Sequence, residues 1–233
     1  MYKVSKPLLL SMMFTTQLLS MKISYAVDEI IENKAKAIIT LPVNAQTSAM
    51  SDHKKQLIEK LKKINFFSAG FEQKTLDEKG NVLQEGSGEL AVSKPNLVHW
   101  NTKTPDESLI VSDGSTLWVY DPFIEQAIAY KLVNAIANTP ILLLTSDDQA
   151  LWAHYRVSQI DQATYLIHAD DVNSQIKTLE LHFVKDKLSG FTFLDATGQL
   201  SIISLKEVDF TTAPALDLFQ FVLPEGTHLD DQR

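Results

Sequence analysis

The stretch "VLQEGSGELAVSKPNLVHWNTKTPDESLIVSDGSTLWVYDPFIEQA" (residues 82–127) alternates short apolar runs with turn-forming residues. The candidate strands within it are 88–93, 97–103, 107–112 and 116–120. The turn signals between them are Lys94-Pro95-Asn96, Asp113-Gly114 and Asp121-Pro122. Short strands at such regular spacing indicate consecutive antiparallel pairing rather than parallel strands joined by helices.

The same pattern continues on both sides of this stretch. The further candidate strands are 68–75, 124–131, 155–160, 164–169, 176–184, 188–195, 200–210 and 219–223. Two helical regions interrupt them, so the sequence predicts one α+β domain built on an antiparallel sandwich or barrel. A barrel of more than eight strands is wider than its own side chains fill, and it tends to enclose a cavity.

The first helical region begins at Ser51-Asp52, which has the composition of a helix cap. Leu57, Leu61 and Ile64 follow at spacings of four and three, so they share one face of an amphipathic helix. This face is expected to cover part of the sheet.

The second helical region, 138–152, is apolar on every side near its start. Asn138-Thr139-Pro140 is typical of a helix start, and two aspartates, Asp147-Asp148, close the apolar run. The run consists of Ile141, Leu142, Leu143 and Leu144. A surface helix has a polar face, so this helix is expected to be buried on all sides.

Several strands are apolar on both faces, which leaves open which face lines a cavity. Val98 and Trp100 share one face of their strand, and Trp118 and Tyr120 share one face of theirs. An ordinary packed core explains the same pattern. Parity within one strand does not decide between the two interpretations.

Composition excludes several classes of function. The chain has 233 residues, no cysteine and a formal net charge of −8, so it lacks disulfides, a thiol nucleophile and the basic surface that nucleic acid requires. Its six histidines form no metal-binding motif, and no nucleophile elbow, phosphate-binding loop or dinucleotide fingerprint occurs. Gly86-Ser87-Gly88 is interpreted as a bend or bulge. The sequence therefore predicts neither an enzyme nor a cofactor.

The N-terminus has the pattern of a secretory signal peptide. Lys3 and Lys6 precede a short apolar run, Leu8 to Leu19, and Ser24-Tyr25-Ala26 supplies a cleavage site. Cleavage after Ala26 removes three of the 21 basic residues and none of the 29 acidic ones, leaving a net charge of −11. Residues 27–50 are interpreted as an N-terminal extension of unknown role, with a later cleavage near Ala49 as the rival, and 51–233 as the domain.

From Ser51 to Arg233 the sequence resembles LolA, the family of periplasmic outer-membrane lipoprotein carriers. The resemblance lies in the stretch 82–127, in "FFSAGFEQ" (66–73), in "ANTPILLL" (137–144) and in "PEGTHLDDQR" (224–233). It implies an incomplete, strongly curved antiparallel β-barrel of about eleven strands, closed by a helical lid over an apolar cavity. It also implies that the helix 139–145 and the face Leu57, Leu61 and Ile64 form the lid.

The resemblance further implies a route of transfer. The family takes triacylated lipoproteins from LolCDE, an inner-membrane ABC transporter, and passes them through the periplasm to LolB, an outer-membrane receptor. The chain is then expected to be a monomeric periplasmic chaperone of a Gram-negative bacterium. LolB itself does not fit, because that receptor is attached to the membrane through a lipidated cysteine and this chain has none.

One position departs from the family pattern. The family often has Lys-Arg-Pro-Asn before the third strand, with the arginine holding the lid closed, whereas this chain has Ser93-Lys94-Pro95-Asn96. Lys94 is therefore the candidate lid latch, although lysine lacks the planar donor fork of arginine. A solvated lysine in a turn is the alternative.

Two other functions stay open at the level of sequence. One is a carrier of another lipid class, and the other is an envelope sensor that binds a lipidated protein with the same fold. The molecule that co-purifies from the periplasm would distinguish them: lipoproteins, free glycolipid or a regulatory membrane protein.

Overall fold

A single sheet dominates the computed structural model, which describes residues 43–135, 141–146 and 149–233. All features below belong to the unit Asn44–Arg233, apart from Val43, the first described residue. Within the described residues the strands are β1 (Phe66–Leu76), β2 (Val82–Ser93), β3 (Leu97–Thr104), β4 (Ser108–Asp113), β5 (Thr116–Asp121), β6 (Gln126–Lys131), β7 (Tyr155–Asp161), β8 (Thr164–Ala169), β9 (Ile176–Val184), β10 (Lys187–Asp195), β11 (Leu200–Asp209) and β12 (His228–Gln232).

Two antiparallel meanders meet in the middle of the sheet. The strand order is β12-β6-β5-β4-β3-β2-β1-β11-β10-β9-β8-β7, so β1 pairs with both β2 and β11. Neighbouring strands are antiparallel except that β12 runs parallel to β6. The described sheet is open, with β7 and β12 at its edges, and this confirms the incomplete barrel expected from the sequence. It has twelve strands rather than about eleven.

Eleven candidate strands are confirmed, and the candidate 219–223 is wrong. Leu216–Phe219 forms a short 3₁₀ helix whose Phe219 is buried against β3 and β4, while β12 forms further along the chain. Phe219 is buried by lying over the sheet and not by joining its edge, whereas Leu216, Val222 and Leu223 stay exposed. Gly86-Ser87-Gly88 lies within β2, and the register shifts between Ser87 and Gly88, which confirms the predicted bulge.

The described helices are α1 (Val43–Lys62), α2 (Leu132–Ala135), α3 (Ile141–Thr145) and α4 (Gln149–Trp152). α1 begins at Val43 and not at Ser51, because residues 45–50 include Ala45, Gln46 and Ala49, which favour helix. The sequence did not predict α2. The predicted caps Asn138-Thr139-Pro140 and Asp147-Asp148, and the predicted signal peptide, lie outside the described residues. None of the helices described is long and apolar enough to span a membrane.

Aromatic contacts show how strongly the sheet curves. The rings of Trp100 in β3 and Phe191 in β10 lie 5.7 Å apart, centroid to centroid. Strands β2, β1 and β11 separate them in the sheet, so on a flat sheet they would be about 19 Å apart at about 4.8 Å per strand. The sheet therefore curls until its two halves meet across a concave face.

Gly88 makes one of these contacts possible. A side chain at Gly88 would meet the ring of Phe71 and the carbonyl oxygen of Asn101 at less than 3 Å. The absent side chain lets Phe71 lie across the sheet, where its ring centroid is 5.2 Å from that of Trp100.

Candidate functional site

The concave face of the sheet is largely apolar along its central strands. Alternate residues of the central strands point to this face, and the pairing aligns them from strand to strand: Phe67 with Val92, Val92 with Val98, and Leu90 with Trp100. Phe67, Val92 and Val98 are fully buried, and Trp100 is half-buried between Phe71 and Phe191. Val98 and Trp100, predicted from parity, therefore lie together on the inner face.

α1 covers part of this face with the residues that the sequence predicted. Leu57 and Leu61 are one helical turn apart, Ile64 follows the helix, and all three are buried in the same apolar cluster as Phe67 and Val98. Beyond Leu61 the chain turns into β1 with Ile64 N–H donating to the Leu61 carbonyl oxygen at 3.0 Å.

α3 covers the concave face beside β3. Leu142, Leu143 and Leu144 are successive residues, 100° apart around a helix, and each is at most 4% exposed. Burial on so wide an arc explains why this helix has no polar face. Ile141 begins α3, and its side chain lies outside the described part. We call α1 and α3 together the lid.

The turn between β2 and β3 contacts both helices of the lid. The Lys94 ammonium Nζ donates to the Leu61 carbonyl oxygen of α1 at 3.0 Å, and the Asn96 N–H donates to the Thr145 carbonyl oxygen of α3 at 3.3 Å. The last carbonyl groups of a helix lack partners within it and carry partial negative charge. One turn of the sheet thus supplies a donor to each helix end.

Sequence reasoning identified Lys94 but missed Asn96. Asn96 has a positive φ of 60°, and the hydroxyl of the buried Ser112 donates to its carbonyl oxygen at 2.5 Å. Asparagine tolerates this left-handed conformation better than most residues. The dipeptide Pro95-Asn96 predicts a turn but does not show that its backbone N–H reaches a distant helix.

The other side of α1 contacts the turn between β9 and β10. The Lys60 ammonium forms an ion pair with Asp186 and lies 5.0 Å from the ring centroid of Phe183. The hydrogen bond from Lys60, and then its charge, hold the pKa of Asp186 below its usual range. Lys60 and Lys94 therefore connect the C-terminal end of α1 to two separate turns of the sheet.

The prediction that Trp118 and Tyr120 line the cavity is wrong. Trp118 pairs with Val111, which pairs with His99, so it lies on the face opposite Val98 and Trp100. The C-terminal segment covers this outer face: the Phe221 ring stacks on Trp118 at 5.1 Å and contacts Tyr120 at 5.8 Å. The two-residue period of a strand assigns residues to a shared face within each strand, but the register between strands decides which face is inside.

Arg233 and Asp113 hold the outer edge of Trp118. The Arg233 guanidinium lies 5.2 Å from the Trp118 ring centroid, and the indole N–H donates to the Asp113 carboxylate at 3.4 Å. Partial burial raises the pKa of Asp113, but hydrogen bonds from Thr116 and Ser115 outweigh it and the net pKa is lowered. Asp113 is thus an ionised acceptor on the outer face of the sheet.

A polar depression of about 490 Å³ also lies between β11, β1, β2 and β3. Its lining includes Glu72, Lys74, Glu85 and Thr104, and Lys74 pairs with Glu85 at 2.7 Å. Charged walls do not suit an apolar ligand. The apolar concave face beneath the lid is therefore the candidate site.

Comparison with known proteins agrees with this arrangement. Residues 62–222 match the family "Outer membrane lipoprotein carrier protein LolA". A carrier protein of that name from Aeromonas salmonicida is 39% identical over 81% of this chain and 94% of its own length. One from Sodalis glossinidius is 42% identical over 76% of this chain and 87% of its own length.

Solved structures give a weaker match. A LolA superfamily protein from Nitrosomonas europaea has a TM-score of 0.43 and 12% identity, covering 70% of this chain and 95% of its own. The family description names a carrier and not an enzyme. Since the family match covers most of the chain and the two relatives are matched over nearly their whole length, the chain belongs to the LolA family of outer-membrane lipoprotein carrier proteins.

Proposed function

We propose that this protein shelters the acyl chains of outer-membrane lipoproteins against its concave face while the lid is open. The observation that carries the proposal is a largely apolar concave face covered by two helices whose buried leucines pack on it. Opening the lid would expose Val98, Trp100 and Phe191 without breaking the strand ladder. The names of the relatives support lipoprotein as the cargo.

The energetics of transfer explain why a lid is useful. Burying an acyl chain is worth about 0.8 kcal/mol per CH₂, so a 16-carbon chain needs roughly 12 kcal/mol of shelter. A carrier that bound three such chains with this full energy would not release them. The burial of Leu57, Leu61 and Leu142–Leu144 in the closed lid must be given up on loading, and this lowers the net affinity.

The chain then operates between two membranes. In this proposal the inner-membrane transporter LolCDE supplies lipoprotein and the energy of loading, and the outer-membrane receptor LolB accepts it from the periplasmic carrier. Lid closure favours release because it recovers the packing of α1 and α3. Lys94 acts as the latch, through its bond to the end of α1.

Cross-linking tests whether the lid must move. Since the chain has no cysteine, Lys60→Cys with Asp186→Cys can be joined by a short bis-maleimide that holds α1 on the β9–β10 turn. We expect the cross-linked protein to lose most of its binding of a fluorescent triacylated lipopeptide. The same variant treated with a monofunctional maleimide is the matched control and should bind. Equal binding by the two would show that α1 does not open.

The native cargo tests the lipid class. Mass spectrometry of protein purified from the periplasm should find lipoproteins bound to it. Free glycolipid would instead support a carrier of another lipid class, and a stable complex with a regulatory membrane protein would support a sensor.

A further inference from the structure

Asn96 has a buried acceptor that the described structure leaves unused. Its side-chain oxygen Oδ1 is buried and has no hydrogen-bond partner among the described residues. Its two main-chain groups are both used: the N–H donates to Thr145 of α3, and the carbonyl accepts from Ser112. A buried acceptor without a donor is uncommon in folded proteins and calls for an explanation.

The position of Asn96 connects this acceptor to the lid. The residue precedes Leu97 and Val98 of β3 at the rim of the concave face, and its N–H donates to the carbonyl oxygen of the last residue of α3. When α3 leaves the sheet, the Asn96 N–H loses the Thr145 carbonyl while Ser112 still holds the Asn96 carbonyl on the sheet side. An open lid therefore frees one donor, the N–H, beside the unused acceptor Oδ1, on a residue whose carbonyl Ser112 still holds.

We propose that Asn96 binds the acylated peptide end of the cargo, with Oδ1 accepting a hydrogen bond from its amide N–H. This inference rests on the proposed function, because it needs a cargo whose acyl chains enter beneath the lid. In a triacylated protein one chain is joined to the N-terminal residue by an amide. That residue offers an N–H and a carbonyl, the complement of the Asn96 acceptor and donor.

The recognition distinguishes lipoproteins from lipids that have no hydrogen-bond donor. A phosphatidylcholine or an ionised fatty acid has apolar chains but no N–H or O–H donor, so it would enter the cavity and leave Oδ1 unpaired. A site built around a buried polar group rejects ligands that lack its partner. Asn96 would then select acylated polypeptide over lipids that have no hydrogen-bond donor.

An amide-to-ester exchange in the ligand tests the inference. The probes are an N-palmitoyl dipeptide amide and its analogue in which the palmitoyl amide is replaced by an ester, which removes the N–H and keeps the chain. We expect the wild-type protein to bind the amide at least about fivefold more tightly than the ester. Asn96→Gly accepts the positive φ and keeps the main-chain N–H but lacks Oδ1. The ratio of its affinities for the amide and the ester should therefore fall to near one.

Two variants separate recognition from a loosened turn. Ser112→Ala removes the bond to the Asn96 carbonyl but leaves Oδ1, and Asn96→Asp keeps an acceptor, so both should retain the amide preference. If the ratio of amide to ester affinity were the same in wild type and Asn96→Gly, the inference would be overturned, while the carrier function would stand. Failure of the wild type to bind either probe would instead count against the proposed function.

Discussion

The Lys94 ammonium lies 3.0 Å from the main-chain carbonyl oxygen of Leu61, so a turn of the sheet is bonded to the last turn of α1. The Lys94 side chain is partly buried there, and the carbonyl also accepts the N–H of Ile64. A charged donor at a helix C-terminus is favoured by the helix dipole. The closed position of α1 therefore depends partly on this lysine.

Lys94→Leu is expected to shift the lid toward the open form. Loss of one hydrogen bond, here from a charged donor, destabilises the closed state by about 0.5–3 kcal/mol. Less free energy is then lost on opening, so ligand should bind more tightly and transfer to LolB should slow. Reconstituted transfer measures both steps, with Lys94→Arg as the control that keeps a donor and should release normally. Equal release from wild type and Lys94→Leu would show that Lys94 is a turn lysine without a latch role.

Leu142→Ala should weaken the packing of α3, the other helix of the lid, on the sheet. Leu142 is fully buried, and truncating a buried leucine costs about 2–5 kcal/mol. Because the loss falls on the closed lid, a hydrophobic fluorescent probe should bind the variant more tightly although the variant unfolds at lower urea. Val111→Ala truncates a buried residue on the outer face and should lower stability without raising probe affinity. Tighter binding by both variants would mean that general loosening, and not the lid, admits the probe.

The pair of Lys60 and Asp186 predicts an acid dependence of α1. The pKa of Asp186 is lowered in the folded protein, so its contribution is present above the unfolded pKa of about 3.9 and is lost as pH falls through the folded value. At pH 7, Asp186→Asn should speed hydrogen exchange in the last turns of α1. Below about pH 4 the difference from wild type should shrink.

An ion pair within the sheet provides the control for this experiment. Glu85→Gln removes the partner of Lys74 and should leave exchange in α1 unchanged at every pH. Faster exchange of Asp186→Asn that persists below the folded pKa of Asp186 would show that its charge is not what holds α1.

Local patterns predicted most strands because their causes are local. Apolar alternation and turn residues such as Asp113-Gly114 act within a few positions, and they located all of β1 to β11, although the candidate 88–93 covered only the second half of β2. The segment His228–Gln232 is polar apart from Leu229, so nothing in its composition favours a strand. It becomes β12 because the exposed edge of β6 offers free backbone groups.

The candidate site likewise contains residues that local patterns predict and residues that they do not. The apolar helix positions Leu57, Leu61 and Leu142–Leu144 were predictable because their spacing requires burial. The bond from Asn96 to Thr145 was not, because it joins two backbone groups that every residue possesses. Such contacts depend on how distant segments are brought together and leave no mark on residue type.

Trp100 and Trp118 show most directly that the sequence of one strand does not reveal which of its faces is inside. They also provide a test of where the acyl chains bind. Both are aromatic residues on short strands, yet the register places Trp100 inside and Trp118 beneath Phe221 on the outer face. The chain has three tryptophans, so variants that keep Trp100 or Trp118 alone, with the others changed to phenylalanine, report each face separately. A lipopeptide with brominated acyl chains quenches indole fluorescence only at close range. We expect it to remove most of the emission of the Trp100 variant and little of that of the Trp118 variant, and an unbrominated lipopeptide controls for changes in environment. Comparable quenching of Trp118 would place acyl chains on the outer face and would contradict the concave face as the binding site.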